Sequence, residues 1–464
     1  MKKLKIGLLP LYIKLYDDFL PSLREKIDSF QHTIIGELEK NNVEVFSAEV
    51  CRIKTEFKEA IHFFEKQEVD AIVTLHLAYS PSLESASILA ETKLPLVILD
   101  TTPTFDYSPN QNPDELFYNH GIHGVQDMCN LLLRNGKDFS IEAGHWSESD
   151  VLVRIVDCVK AARMAGNMKK ARVGRVGKVF EGMGDFDVPL DLMRSTIGIE
   201  TVLMDLDEGR KFYEEVTNKQ IDEEIEADSN KFSAADSFDV AVYRQSTRAC
   251  LAVREWIKQK ELSAFTINFM EITKQSGIPT MPFLEASKAM ARGIGYAGEG
   301  DVLTAALVGA LLSVYPETSF TEMFCPDWKN NSIFLSHMGE MNLGLAANKP
   351  TLKEMDFPFT DADNPVVAYG RFCSGNAVYV NLAPGRDNTY SLILSPIEML
   401  PVEGEDRMEG SIHGWFKPSL PISDFLSTYS KHGGTHHGVI VYGDTMKVME
   451  NFGEMMGWKV VRIG

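Results

Sequence analysis

Histidines, glutamates and glycines concentrate at a few places in the second half of the chain. Lys431-His432-Gly433-Gly434-Thr435-His436-His437-Gly438 puts three of the eleven histidines into one short, glycine-framed stretch ahead of a strand-like run. Imidazoles so spaced can hold a metal ion or a substrate oxygen. Gly293, Gly295, Gly298 and Gly300 surround the acids Glu299 and Asp301 just before a helix-like run, Val302–Ser313. Glycines at that spacing let backbone approach a ligand closely. Ser336-His337-Met338 follows the strand-like Ile333–Leu335, and Asn268-Phe269-Met270-Glu271 puts an acid at another strand end. Two glutamates and two histidines make a mixed oxygen and nitrogen donor set. Such a set suits Mn²⁺, Mg²⁺ or Co²⁺ better than a thiolate zinc site does.

A nicotinamide enzyme is an alternative, because Gly293-Ile294-Gly295-Tyr296-Ala297-Gly298 has GxGxxG spacing. It follows the helix-like Glu285–Arg292, however, whereas a dinucleotide loop must follow a strand.

The elements that position these residues divide the chain in three. Lys5–Leu11, Val43–Val50, Ala71–Ala78 and Leu94–Asp100 are short, apolar and β-branched, with helix-period runs such as Phe19–Asn41 and Glu56–Gln67 between them. That alternation predicts a parallel sheet covered on both faces, with ligands beyond the carboxyl ends of its strands. A second α/β unit follows the helical stretch Ser147–Met168, with strands expected at Arg172–Val179, Glu200–Met204, Val240–Tyr243 and Ala264–Phe269. The acidic segment Glu208–Ser237 reads as a solvated helix face. From about residue 320, Val366–Cys373, Ala377–Leu382, Tyr390–Leu400, Val439–Tyr442 and Trp458–Ile463 read as a mainly antiparallel β unit. The predicted class is two doubly wound α/β domains, 1–165 and 166–318, followed by an antiparallel β domain, 319–464.

Composition narrows the function classes. The 464 residues carry 46 Lys+Arg against 66 Asp+Glu, a net charge of −20, which argues against nucleic acid or anionic membranes as partners. Six cysteines lie scattered without a CxxC pair, the pattern of reduced cytosolic thiols. No run of about 18 apolar residues is present to span a membrane. The apolar start is broken by Pro10, Lys14, Asp17 and Asp18, so it reads as a first strand rather than a leader. The expected location is the cytoplasm.

The order of motifs resembles the L-arabinose isomerase family, within a wider group that includes L-fucose isomerase. The residues that carry the likeness are Ala264–Phe269, Gly295-Tyr296-Ala297-Gly298-Glu299-Gly300-Asp301 with Thr304–Leu307, Thr318–Phe320, Ser336–Met338 and Gly433–His437. Asn119–Gly124 matches the family's Gly-His region in outline. Where the family carries a Glu-Asp pair after phenylalanine, this chain has Met270-Glu271.

The resemblance implies a Mn²⁺-dependent aldose–ketose isomerase, proceeding through a cis-enediol, in a hexamer or trimer with sites between subunits. By position it makes Glu271 and Glu299 catalytic, and Glu271, Glu299, His337 and His437 the metal ligands. His436 falls to substrate binding, together with Tyr12, His76 and His123 from the front of the chain. A sugar-binding or regulatory homologue, and an isomerase of an L-fucose-like deoxyhexose, are the alternatives.

Overall fold

A computed structural model describes residues 2–235 and 239–464, which form two compact units, Met1–Gly166 and Asn167–Gly464. In the first, strands and helices alternate in the order β1 (Leu4–Leu11), α1 (Lys14–Phe19), α2 (Leu23–Glu39), β2 (Val43–Ser47), α3 (Lys54–Gln67), β3 (Ala71–His76), α4 (Ser82–Glu91), β4 (Leu96–Asp100), α5 (Gly121–Arg134), β5 (Ser140–Ala143) and α6 (Val151–Lys169). The sheet order is β2-β1-β3-β4-β5, all parallel. All six positions of β3 are buried, as a strand covered on both faces requires. The single helix expected over Phe19–Asn41 is broken at Leu20–Ser22. Pro21 bars the helical conformation from the residue before it and supplies no N–H. The sheet order reverses between β1 and β3, and Tyr12 and His76 lie at the carboxyl ends of those strands.

The second unit begins with β6 (Arg172–Val176), α7 (Leu190–Thr196), β7 (Glu200–Met204), α8 (Leu206–Glu215), α9 (Asn218–Ser229), β8 (Ser233–Ala234), α10 (Val240–Gln259), β9 (Ala264–Ile267), α11 (Phe283–Ala291), β10 (Gly295–Gly298) and α12 (Val302–Leu312). Strands β10-β9-β6-β7 make a parallel sheet. Two expectations are corrected here. Val240–Tyr243 is the first turn of the 20-residue helix α10, not a strand: Asp239 caps it by accepting from the Ala241 N–H, and Tyr243, Cys250, Val253, Trp256 and Ile257 line its buried face at helical spacing. Gly295–Gly298 is a buried strand rather than a loop. A Cβ on Gly295 would sit 2.3 Å from the Ala305 carbonyl oxygen, so glycine there serves close packing of α12 on the sheet.

The remaining strands are β11 (Thr318–Asp327), β12 (Ser332–His337), β13 (Thr351–Glu354), β14 (Val366–Tyr369), β15 (Gly375–Pro384), β16 (Tyr390–Met399), β17 (Ile412–Pro418), β18 (His437–Tyr442) and β19 (Lys459–Arg462), with helices α13 (Ile422–Lys431) and α14 (Met446–Met455) between the last three. The order β15-β18-β11-β12-β17-β16 closes through a β15–β16 ladder into an antiparallel barrel, and β19 adds in parallel to β16. A small sheet, β14-β13-β8, stands beside it. Helix α12 packs on both the parallel sheet and the barrel strands β11, β15 and β18, which is why nearly every residue of it is buried.

The acidic segment is helical, but it is not wholly a solvated face; residues 236 and 237 of it lie outside the described residues. Lys288 on α11 reaches Glu224 and Asp228 of α9, each at 2.6 Å, and Arg254 of α10 bridges Glu224 and Glu285 at 2.7 Å. Glu285 also pairs with Arg292. Three cations and three carboxylates thus tie α9, α10 and α11 together.

Candidate active site

Strand β10 ends in a strained turn. Glu299 takes φ +63°, a left-handed conformation that costs a residue with a Cβ about 1–2 kcal/mol. Its N–H donates to the Ile267 carbonyl at 2.9 Å, and the Phe180 N–H donates to its own carbonyl at 3.0 Å. The neighbour, Gly298, leaves room for the His337 ring; a Cβ there would lie 2.6 Å from His337 Cε1.

The barrel supplies the facing groups. In the β11–β18 ladder Glu322 stands opposite His437, so the two side chains leave the same face of the sheet. His337 closes β12, and the Phe320 ring rests against His337 and His437 with centroids 4.8 and 5.0 Å away.

Each of three histidines is backed by its own carboxylate. His337 Nδ1 lies 2.7 Å from Glu340 Oε2, His437 Nδ1 lies 2.9 Å from Asp301 Oδ2, and His436 Nδ1 lies 2.7 Å from Asp185 Oδ2. An ionised carboxylate only accepts, so each Nδ1 carries the proton of the bond. The Nε2 atoms are left for other work. Asp301 has a second task, since its Oδ1 caps α12 by accepting from the Thr304 N–H at 2.9 Å. Glu340 is held in turn by the Tyr296 hydroxyl at 2.7 Å.

His437 Nε2 is buried and makes no hydrogen bond among the described residues; it lies 3.4 Å from Glu299 Oε2, and His436 Nε2 lies 3.7 Å from the same oxygen. One ligand atom each from Glu299, His436 and His437 falls within 4.8 Å of the others. An orphaned buried nitrogen beside a carboxylate and a second imidazole fits a divalent cation with oxygen and nitrogen ligands.

The electrostatics agree with a pocket for positive charge. Burial opposes charge on Glu299, but the closeness of the His436 and His437 rings and the field of His337 hold its pKa down to about 2. Burial likewise favours neutral rings, yet the hydrogen bond to Asp185 and the nearby Glu299 carboxylate raise His436 to about 10, and the bond to Asp301 with the same Glu299 carboxylate raises His437 to about 9. Glu322 is the contrast: burial pushes its pKa up, and the three histidines only partly offset this.

Of the residues singled out from sequence, Glu299, His337, His436 and His437 come together. Glu271 is not in the cluster of candidate ligands; it is exposed in a short 3₁₀ turn, Phe269–Glu271, beside Gly177. Tyr12, His76 and His123 belong to the first unit. Tyr12 and His76 are buried, with the Tyr12 hydroxyl and His76 Nε2 making no hydrogen bond among the described residues. His123 is exposed in the first turn of α5, its ring 4.2 Å from that of His120. Both line a cleft of about 260 Å³ with Tyr107, Leu116, Asn119 and Ile122. The sequence reading missed Glu322, which a period-2 count from the inward Phe320 would have found. It also missed Asp185, for which no sequence signal exists.

The GxGxxG stretch has no dinucleotide loop to offer, since its second half is β10 itself. Comparison with known proteins points elsewhere. Residues 160–315 match the L-arabinose isomerase central domain and residues 317–459 its C-terminal domain. An L-arabinose isomerase from Geobacillus thermodenitrificans is 24% identical over 95% of this chain and 90% of its own. One from Shouchella clausii is 24% identical over 84% of this chain and 81% of its own. One from Lactiplantibacillus plantarum is 22% identical over 87% and 86%. Among solved structures, a periplasmic solute-binding protein from Actinobacillus succinogenes with bound D-allose matches at a TM-score of 0.17 and 13% identity, over 67% of this chain and 92% of that one, too low to bear on the fold. The class is that of the aldose–ketose isomerases, intramolecular oxidoreductases. Within it, the chain belongs to the L-arabinose isomerase family.

Proposed function

We propose that this enzyme interconverts a pentose of the L-arabinose type and its ketose by moving a proton between C1 and C2 through a cis-enediol. The observation that carries the reading is the pairing of two carboxylates of opposite tendency, Glu299 held ionised and Glu322 pushed up, around three oriented imidazoles. Two groups whose environments drive their acidities apart can serve as base and acid in turn. Glu322, whose carboxyl burial makes the weaker acid of the two, would take the carbon proton and return it to the neighbouring carbon. Glu299 exchanges protons with the hydroxyl oxygens. Glu322, rather than Glu271, fills the place of the second carboxylate, because it faces the histidines across the β11–β18 ladder whereas Glu271 is exposed elsewhere.

Glu299, Glu322, His337 and His437 would hold a divalent ion, Mn²⁺ or else Co²⁺ or Mg²⁺, with His436 free to contact the sugar. When bound there, such an ion would supply Lewis-acid stabilisation of developing negative charge on the sugar oxygens. The cleft bordered by His120 and His123 is the sugar contact assigned to the first unit; Tyr12 and His76 lie beneath the surface of that unit and act by supporting it. Assembly as a hexamer or trimer in the cytoplasm belongs to the same reading.

The test is a panel of pentoses and deoxyhexoses incubated with the full chain and Mn²⁺, with ketose appearance as the readout. Turnover greatest on an L-arabinose-type pentose supports the assignment. Sugar binding without ketose from any member of the panel would make the protein a binding or regulatory homologue instead.

A further inference from the structure

One loop, residues 177–189, reaches all three members of the Glu299–His436–His437 cluster by different means. Phe180 donates its N–H to the Glu299 carbonyl. The Phe186 ring stacks on His437, 4.8 Å between centroids and 6° between planes. Asp185 accepts twice on one oxygen, from the His436 backbone N–H at 2.9 Å and from its Nδ1 at 2.7 Å. The other two histidines are oriented by carboxylates with at most 1% of their side chains exposed, Glu340 and Asp301, whereas Asp185 is 37% exposed. Asp185 is therefore the only one of the three orienting anions that comes from a solvent-facing loop.

We propose that Asp185 is a positioning residue for His436. Its carboxylate fixes the ring with the proton on Nδ1 and the backbone in register. Nε2 then points at the sugar in one fixed orientation. Without the anion the ring is free to flip, so the sugar meets the same ring nitrogen only part of the time. The loss falls on binding common to ground and transition states, which raises KM more than it lowers kcat. The sugar as occupant rests on the isomerase reading above; the orientation of the ring does not.

Two measurements on the full chain test this. In Mn²⁺-saturated kinetics, Asp185→Ala and His436→Ala each raise KM about tenfold with kcat within about threefold, and the double variant is no worse than His436→Ala alone, since partners in one interaction are not additive. Asp185→Asn, which keeps the shape and one acceptor oxygen, gives a KM between wild type and Asp185→Ala. Additive effects in the double variant, or an unchanged KM in both Asp185 variants, would overturn the proposal. The second measurement needs no turnover. In metal-free protein labelled with ¹⁵N-histidine, the exchange-protected Nδ1–H resonance assigned through His436→Ala is present in wild type and lost in Asp185→Ala. Its persistence in Asp185→Ala contradicts the positioning role even if no sugar is isomerised. Its loss, together with absent wild-type turnover, retains the role and refutes the substrate.

Discussion

At the scale of single residues, the site depends on a strained carboxylate and on a glycine that makes room. Gly298→Ala drives a Cβ into the His337 ring. The expected outcome is metal affinity down by at least tenfold with the protein still folded, measured by titrating Mn²⁺ against the purified variant and recording its circular dichroism. Glu299→Gln removes the charge that both neighbouring histidines face, so kcat should fall 10²–10⁴-fold, whereas Glu271→Gln should leave steady-state turnover within about twofold. Glu299, His337 and the His436-His437 pair were legible because rare residue types cluster there in the sequence. Glu271 parts from that group for a physical reason. Strand β9 stops at Ile267, and the Asn268 side chain accepts from the Met270 N–H to start a 3₁₀ turn that carries Glu271 outward. Glu322 was open to a period-2 count along β11, whereas Asp185 depends on a contact with a loop distant in sequence, information that no local window contains.

At the scale of elements, helix α12 joins stability to function through its cap. Asp301→Ala removes the acceptor for the Thr304 N–H and strands the buried Nδ1 of His437. The cap is worth about 1 kcal/mol and an unpaired buried donor about 1–3 kcal/mol more, so denaturant unfolding should show a loss of roughly 2–4 kcal/mol. Lys288→Met leaves Glu224 and Asp228 without the cation between α9 and α11; breaking such a buried pair costs about 3–5 kcal/mol, read as a lowered urea midpoint. Strand–helix alternation made the first sheet legible, and alternating strands made the barrel legible. Val240–Tyr243 was not, because four apolar or aromatic residues carry no period of their own, and only the continuation to Trp256 and Ile257 reveals the helix. Gly295–Gly298 hid its strand because Gly295 answers to the helix packed on it and Gly298 to the His337 ring.

For the whole molecule, the balance of −20 describes a charged surface, yet part of the acidic segment is structural and ion-paired. The first unit carries its own pH sensitivity. Burial depresses His76 to about 3, with Asp127 offsetting this only in part, while the unfolded ring titrates near 6.5. Between those values the unfolded chain binds the proton and the folded one does not, so stability is intact above about pH 6.5 and is lost as pH falls toward 3. The contribution is on the order of a few kcal/mol. A His76→Gln variant should show a shallower fall in stability over that window than wild type by urea unfolding at a series of pH values; parallel curves would contradict the assignment. The central claim is that Glu322 and the histidine cluster perform an aldose–ketose isomerisation. It is tested most directly by the rate of ketose formation from L-arabinose with saturating Mn²⁺, for wild type and Glu322→Gln side by side. Wild type should form ketose, and the folded variant should do so at least about a hundredfold more slowly. Equal rates in the two proteins, or no ketose from wild type, would contradict it.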